Sequence, residues 1–172
     1  MIYVKNSTKC DNLTGTSIGE TYKISCKESI HNVSGTYQYL TRYETSISSN
    51  FYSLGTVSGR TGIKILHTGM YHIQFANAYF DVSGGDAILW ALIGSTRLGD
   101  GSAFITAQYT GDTKNSRVSL CVGGITELIE GEVVYCAVSK SGIFAGNVDF
   151  VSYIGERLNG VMTVTYLGQT TY

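Results

Sequence analysis

The chain has 172 residues, a net charge of −1 and only 15% charged residues. Charge this sparse and balanced argues against an electrostatic nucleic-acid binder, which needs a basic stripe, and against a polybasic membrane-surface patch. The length is that of one domain, enough to bury about 70% of the unfolded surface without metal or disulfide staples.

No window approaches 18 consecutive apolar residues, so no transmembrane helix is expected. The opening "MIYVKNSTKC" lacks a charged segment followed by an apolar core, so no signal peptide is expected. The chain holds 21 Gly, 13 Tyr and no Pro. With abundant Ser, Thr, Val and Ile, that composition favours strands joined by Gly, Asn and Asp turns.

Residues 1–35 are polar, with weak strand patterns at "MIYVK" and "TYKISC". They read as an N-terminal arm or added strands, too short for a core of their own. Residues 36–172 form the main domain. "TYQYLTRYETSI" (36–47) alternates Tyr37, Tyr39, Thr41 and Tyr43 on one side, and "GIKILH" (62–67) follows. "HTGMYHIQFANAYF" (67–80) begins with a turn and continues as a strand lacking a polar face. Tyr71, Ile73, Phe75, Asn77 and Tyr79 point one way; Met70, His72, Gln74, Ala76, Ala78 and Phe80 point the other. "DAILWALIG" (86–94) is apolar throughout and reads as a buried strand. "AFITAQYTG" (103–111) and "RVSLCVGG" (117–124) flank the turn "DTKNS", and "EVVYCAVSK" (132–140) follows "IEGE". "VDFVSYIGERL" (148–158) and "VMTVTYLG" (161–168) are joined by "NG", a preferred two-residue hairpin turn. Strands at this spacing without helices predict an all-β sandwich.

The sequence offers little for catalysis. His31, His67 and His72 form no metal-binding or catalytic pattern. "GSTRLGDGSAF" is Gly-rich but lacks the ending of a phosphate loop, and no helix follows it. Asp86 and Asp100 on Gly-rich loops are too few oxygens to specify a Ca²⁺ site. Glu127, Glu130 and Glu132 read as a solvated turn, and Arg60, Arg97, Arg117 and Arg157 as isolated surface charges or interface pairs. Cys121 and Cys136 fall inside predicted strands and read as buried thiols, while Cys10 and Cys26 have the option of pairing in an oxidising compartment. Asn6, Asn12 and Asn32 open glycosylation triplets of the kind that arise readily in Ser- and Thr-rich sequence. No catalytic residue, cofactor or metal is expected.

Three motifs in order resemble the tumour necrosis factor and complement globular-head superfamily. "GMYHIQF" (69–75) is similar to its G-x-Y-x-[FI]-x-[FI] strand, "ITELIEGEVVYCAVSKSG" (125–142) to its Leu-x-x-Gly-acidic-x-Val element, and "VDFVSYIGERL" (148–158) to its closing strand. Glu130-Gly131-Glu132 and Val151-Ser152 depart from the family pattern, and the chain runs on past the closing strand. Those departures, the composition and the absence of a collagen-like stalk are closer to phage spike, fibre and decoration-protein knobs. The resemblance implies a two-sheet antiparallel jelly roll that trimerises around a threefold axis. On that reading the doubly apolar strand has two covers, the facing sheet and a neighbouring subunit. Tyr71, Phe75 and Tyr79 are then expected in or beside the trimer interface, with Met70, Ala76 and Ala78 in the sandwich.

The expected function is a non-enzymatic structural or adhesive protein of a phage virion: capsid decoration, head fibre or tail-appendage knob. The arm, 1–35, would dock to other virion proteins. Loops 81–86, 97–102 and 111–116 would face outward, with Tyr109, Asp112 and Asn115 contacting a host-surface glycan or protein. The alternative is a secreted, extracellular cytokine-like or complement-like trimeric ligand. A carbohydrate-active enzyme would need paired carboxylates facing one cleft, and no such pair can be placed.

Overall fold

The computed structural model describes residues 18–44, 52–83, 86–97, 105–112, 116–141, 147–151, 153–154, 157–158 and 160–169. Every regular element among them is a β-strand. They are β1 (Thr21–Cys26), β2 (Gln38–Tyr39), β3 (Tyr43–Glu44), β4 (Tyr52–Val57), β5 (Arg60–Ile65), β6 (Gly69–Ser83) and β7 (Asp86–Ser95). Then come β8 (Ile105–Asp112), β9 (Ser116–Leu128), β10 (Val133–Ser141), β11 (Asn147–Phe150), β12 (Tyr153–Ile154), β13 (Arg157–Leu158) and β14 (Val161–Gly168).

Two antiparallel sheets face each other. In the first, β3, β1, β14, β6 and β9 lie side by side, and β11 continues the β14 edge of β6. In the second, the order is β4, β5, β10, β7, β8, with β2 also paired to β10. This is the two-sheet jelly-roll sandwich that the motif order implied. Its core is built from alternate inward residues of both sheets, among them Ile24, Ile73, Phe75, Val164, Leu89 and Val134, each 0% exposed.

Part of the polar arm belongs to this sandwich. β1 inserts between β14 and β3, burying Tyr22, Ile24 and Cys26. The 36–47 stretch, expected as one strand, splits between sheets: β2 pairs with β10 and β3 with β1. β4 and β5 form a hairpin whose turn residues, Ser58 and Gly59, both take positive φ (51° and 75°), the geometry of a two-residue turn. The 148–158 stretch is likewise broken, into β11 and the small β12–β13 hairpin. The expected "NG" hairpin does not form, because β14 pairs with β1 and β6 instead of with the strand before it.

The missing polar face of 67–80 has an intramolecular cause. Between Phe75 and Ala78 the β6–β9 register shifts: Phe75 pairs with Val122 and Ala78 with Leu120, so Ala76 and Asn77 together oppose Cys121. Asn77 takes φ 57°, a left-handed conformation that Asn tolerates better than most residues. The extra residue switches the alternation. Tyr71, Ile73 and Phe75 point inward before the bulge, and Ala78, Phe80 and Val82 after it. The two apolar sets therefore occupy one face in succession, and the strand needs only one cover.

The strand that is covered on both faces is β10. Val134, Cys136 and Val138 face the facing sheet, while outward Tyr135 and Ala137 pack with Leu92 under Tyr37 and Tyr39. Arg60 lies in this second cluster, its guanidinium 4.5 Å from the Tyr39 ring centre and 5.5 Å from that of Tyr135. Far from being an isolated surface charge, it is only 9% exposed.

Candidate interaction surface

The outward face of the first sheet is set by its registers. One row across β1, β14, β6 and β9 is Thr21, Thr165, His72 and Ile125. The next is Lys23, Thr163, Gln74 and Gly123. A third is Ser25, Val161 and Ala76, with Cys121 opposite the bulge. Lys23 is the one Lys, Arg, Asp or Glu in these rows. Ile125 is 63% exposed, while His72, Gln74, Thr163 and Thr165 are half-buried between neighbouring strands. The Gln74 amide donates to Cys121 Sγ at 3.3 Å, and a Cβ at Gly123 would lie 2.9 Å from the Ile73 carbonyl oxygen. These rows thus carry one formal charge, that of Lys23, and are otherwise cheap to dehydrate.

The expected face assignment is corrected at Tyr71 and Phe75. Both are 0% exposed within one chain, so they have no surface left for a second copy. The Tyr71 ring sits 5.3 Å from that of Tyr166 and 6.2 Å from that of Tyr52, which stacks on Tyr22 at 5.4 Å. The Tyr71 hydroxyl donates to the His67 carbonyl. Tyr79, after the bulge, is half-buried on the outward side, whereas Met70 and Ala76 face outward and only Ala78 lies in the sandwich.

The pairings bring two of the three expected loops together at one end of the sandwich. Val82 pairs with Ser116, Ser83 with Asn147, and Asp86 with Asp112. Tyr109 lies within β8, opposite Leu89, rather than in a loop, and Asn115 is outside the described residues. The third loop leaves from the other end. There Arg97 Nε stands beside Glu132 Oε1, and the Arg97 guanidinium donates to the Glu127 carbonyl at 3.1 Å. Glu132, expected as part of a solvated turn, is 6% exposed. Burial pushes its carboxyl up, and the Ile129 backbone and Arg97 offset part of that. Nothing local announces the pair, because its members are 35 positions apart (132 minus 97).

The other polar groups form anchors. Asp149 accepts the Asn32 amide at 2.7 Å and faces His31 Nδ1 at 3.3 Å, which together hold its carboxyl below the usual range. Lys140 reaches the Asn32 side chain at 2.8 Å, fastening the 27–34 segment over β10 and β11. Cys26 and Cys136 are buried free thiols, whereas Cys121, expected to be buried, is exposed. Cys10, Asp100 and the side chain of Asp86 lie outside the description. Among the described residues no three His, Cys, Asp or Glu side chains gather to hold a metal, and no helix is long and apolar enough to cross a membrane.

No family model matches the chain, and no curated protein does. Among solved structures it is similar to Eiger TNF from S. frugiperda, with a TM-score of 0.56 and 8% sequence identity, over 91% of this chain and 97% of that one. At that identity the likeness concerns the fold alone: the chain has a TNF-like, two-sheet antiparallel jelly roll.

Proposed function

We propose that this chain is a non-enzymatic binding protein that assembles as a homotrimer through the outward face of its first sheet, and that it serves on a phage virion as a decoration, head-fibre or tail-appendage protein. The observation that carries the assembly is the three-row face with a single formal charge, presented by four adjacent strands, β1, β14, β6 and β9. Burying it against other copies desolvates few charges, and at about 25 cal/mol per Å² its apolar part contributes a driving force that scales with area. Similarity to a TNF in fold is consistent with the homotrimer. The virion setting rests on the Gly-, Ser- and Tyr-rich, Pro-free composition. The part of the N-terminal arm, 1–35, that precedes β1 would dock to neighbouring virion proteins, and the end of the sandwich carrying Asp112 and Tyr109 would meet a host-surface glycan or protein.

Light scattering on the full chain is expected to give about three times 18.6 kDa. Gln74→Glu combined with Thr163→Glu places two carboxylates in the middle of the face and is expected to yield folded monomers. A wild-type monomer at micromolar concentration would overturn the assembly. Mass spectrometry of purified particles tests the setting: the chain is expected among the virion proteins. Its recovery from a culture supernatant free of particles would instead support a secreted cytokine-like or complement-like ligand, a reading with which the TNF-like fold agrees equally well.

A further inference from the structure

The outward face of the first sheet finishes, where Gly69 pairs with Leu128, in an apolar patch. Ile18 and Ile125 are 64% and 63% exposed, and Leu167 is 37% exposed. Met70 lies diagonal to Ile125, since it pairs with Glu127 while His72 pairs with Ile125. Across β14, Met70 pairs with Gly168, past the register shift that holds Leu167. A Cβ at Gly168 would lie 3.9 Å from Ile18 Cδ1, so Ile18 borders the patch on that side. The rim is acidic. Glu127 stands opposite Met70, and the Glu130 amide donates to Thr68 Oγ1 at 3.0 Å, two residues before Met70. Arg97, at the same end, is paired with the buried Glu132.

We propose that residues 1–5 of the same chain, "MIYVK", dock on this patch. The described chain begins at Ile18, so residues 1–17 set out from the patch itself. Met1, Ile2, Tyr3 and Val4 supply apolar side chains to cover it. Lys5 and Lys9, against the single Asp11, are opposite in sign to Glu127 and Glu130. The 12 residues between, 6–17, reach at most about 40 Å, against about 14 Å for the three strand spacings from β1 to β9. A tether that short holds the segment near its site at roughly millimolar effective concentration, which a separate copy or partner has to exceed. The docked segment leaves the rows through Gln74 and Ala76 open to other copies. This docking requires neither the homotrimer nor the virion, because the patch is exposed on one chain. In the free chain the arm then lies on its own sheet, and reaching a virion protein means leaving it.

The test is methyl NMR on the full-length protein, labelled at Ile, Val and Met. Nuclear Overhauser contacts are expected from the Ile125 δ1 and Met70 ε methyls to the methyls of Ile2 or Val4. Diluting labelled copies into an excess of deuterated, unlabelled ones separates the sources: contacts within one chain persist, and contacts between copies fade. Ile2→Ser combined with Val4→Ser changes no residue of β1–β14. That variant is expected to lose the contacts and to shift the Ile125 and Met70 signals, while the signal of Met162, buried in the core, stays in place. Lys5→Glu with Lys9→Glu is expected to move the Ile125 and Met70 signals partway in the same direction. Contacts that are absent, or that fade on dilution, overturn the proposal, and so do Ile125 and Met70 signals unmoved in the double-serine variant.

Discussion

Cys26 shows how far a single side chain's setting departs from its sequence neighbourhood. It follows the polar arm, yet it ends up 0% exposed in the core, near Cys136, whose thiol lies 3.2 Å from Met162 Sδ. Burial pushes the Cys26 thiol from its ordinary value of 9.0 up to about 12, and the Glu28 amide pulls partway back. The folded protein therefore keeps a proton that the unfolded chain releases. Stability is full below about pH 9 and falls as pH rises toward 12, by up to about 1.4 kcal/mol per pH unit for this group. Cys26→Ala is expected to be less stable at pH 8 but to lose less between pH 9 and 11, as read by urea denaturation. Parallel losses in both proteins would show that another group is responsible. At this scale the sequence revealed residue types well and surroundings badly. Tyr71 reads as a buried aromatic. Arg60 and Glu132 read as solvated charges, because the tyrosines that enclose the first and the arginine that meets the second come from distant parts of the chain.

At the scale of elements, alternation was the reliable guide and its interruption the hidden one. β14 coincides with the stretch predicted from "VMTVTYLG", and β7 and β10 lie within a residue or so of theirs. In β6 the same alternation misled, since a strict period of two carried through Ala76 and Asn77 assigns the residues beyond them to the wrong face. The only local hint is Asn77 itself, whose side chain suits the left-handed conformation it adopts. Deleting Asn77 is expected to turn Phe80 and Val82 toward solvent and abolish cooperative unfolding. Asn77→Gly is expected to be tolerated, and Asn77→Val to cost about 1–2 kcal/mol, since a β-branched residue resists positive φ. Equal stability of the Gly and Val variants would show that the bulge does not depend on that backbone geometry. β4 escaped prediction for a related reason: Leu54 and Val57 are partly exposed, which blurs the pattern of an edge strand.

For the whole molecule, the all-β class and the sandwich follow from composition and strand spacing, because both report the period of the chain rather than its pairing partners. Which strands become neighbours was visible only through motif order. The double apolarity of 67–80 pointed to assembly for a reason the bulge removes; the sparsely charged outward rows are the feature that favours assembly. It carries a distinct expectation. An interface whose central rows contain one formal charge should be nearly indifferent to salt, so the trimer mass at fixed concentration is expected to hold between 0.05 and 1 M NaCl, a range over which exposed ion pairs are progressively screened (roughly a 13 to 3 Å Debye length). Dissociation at high salt would mean that Lys23 or the charges beyond the rows hold the copies together.

The pairing of β1 with β14 has a mechanical side. Thr21 lies opposite Thr165, so the described chain enters and leaves the first sheet at the same end, on adjacent antiparallel strands. A load applied between those two points would open the β1–β14 ladder one hydrogen bond at a time, as a zipper opens. A load that enters through β1 and leaves through another subunit would not concentrate on that seam. Tension in a tethered assembly is thus best borne when the copies share it, and a lone copy held by both ends is at its weakest.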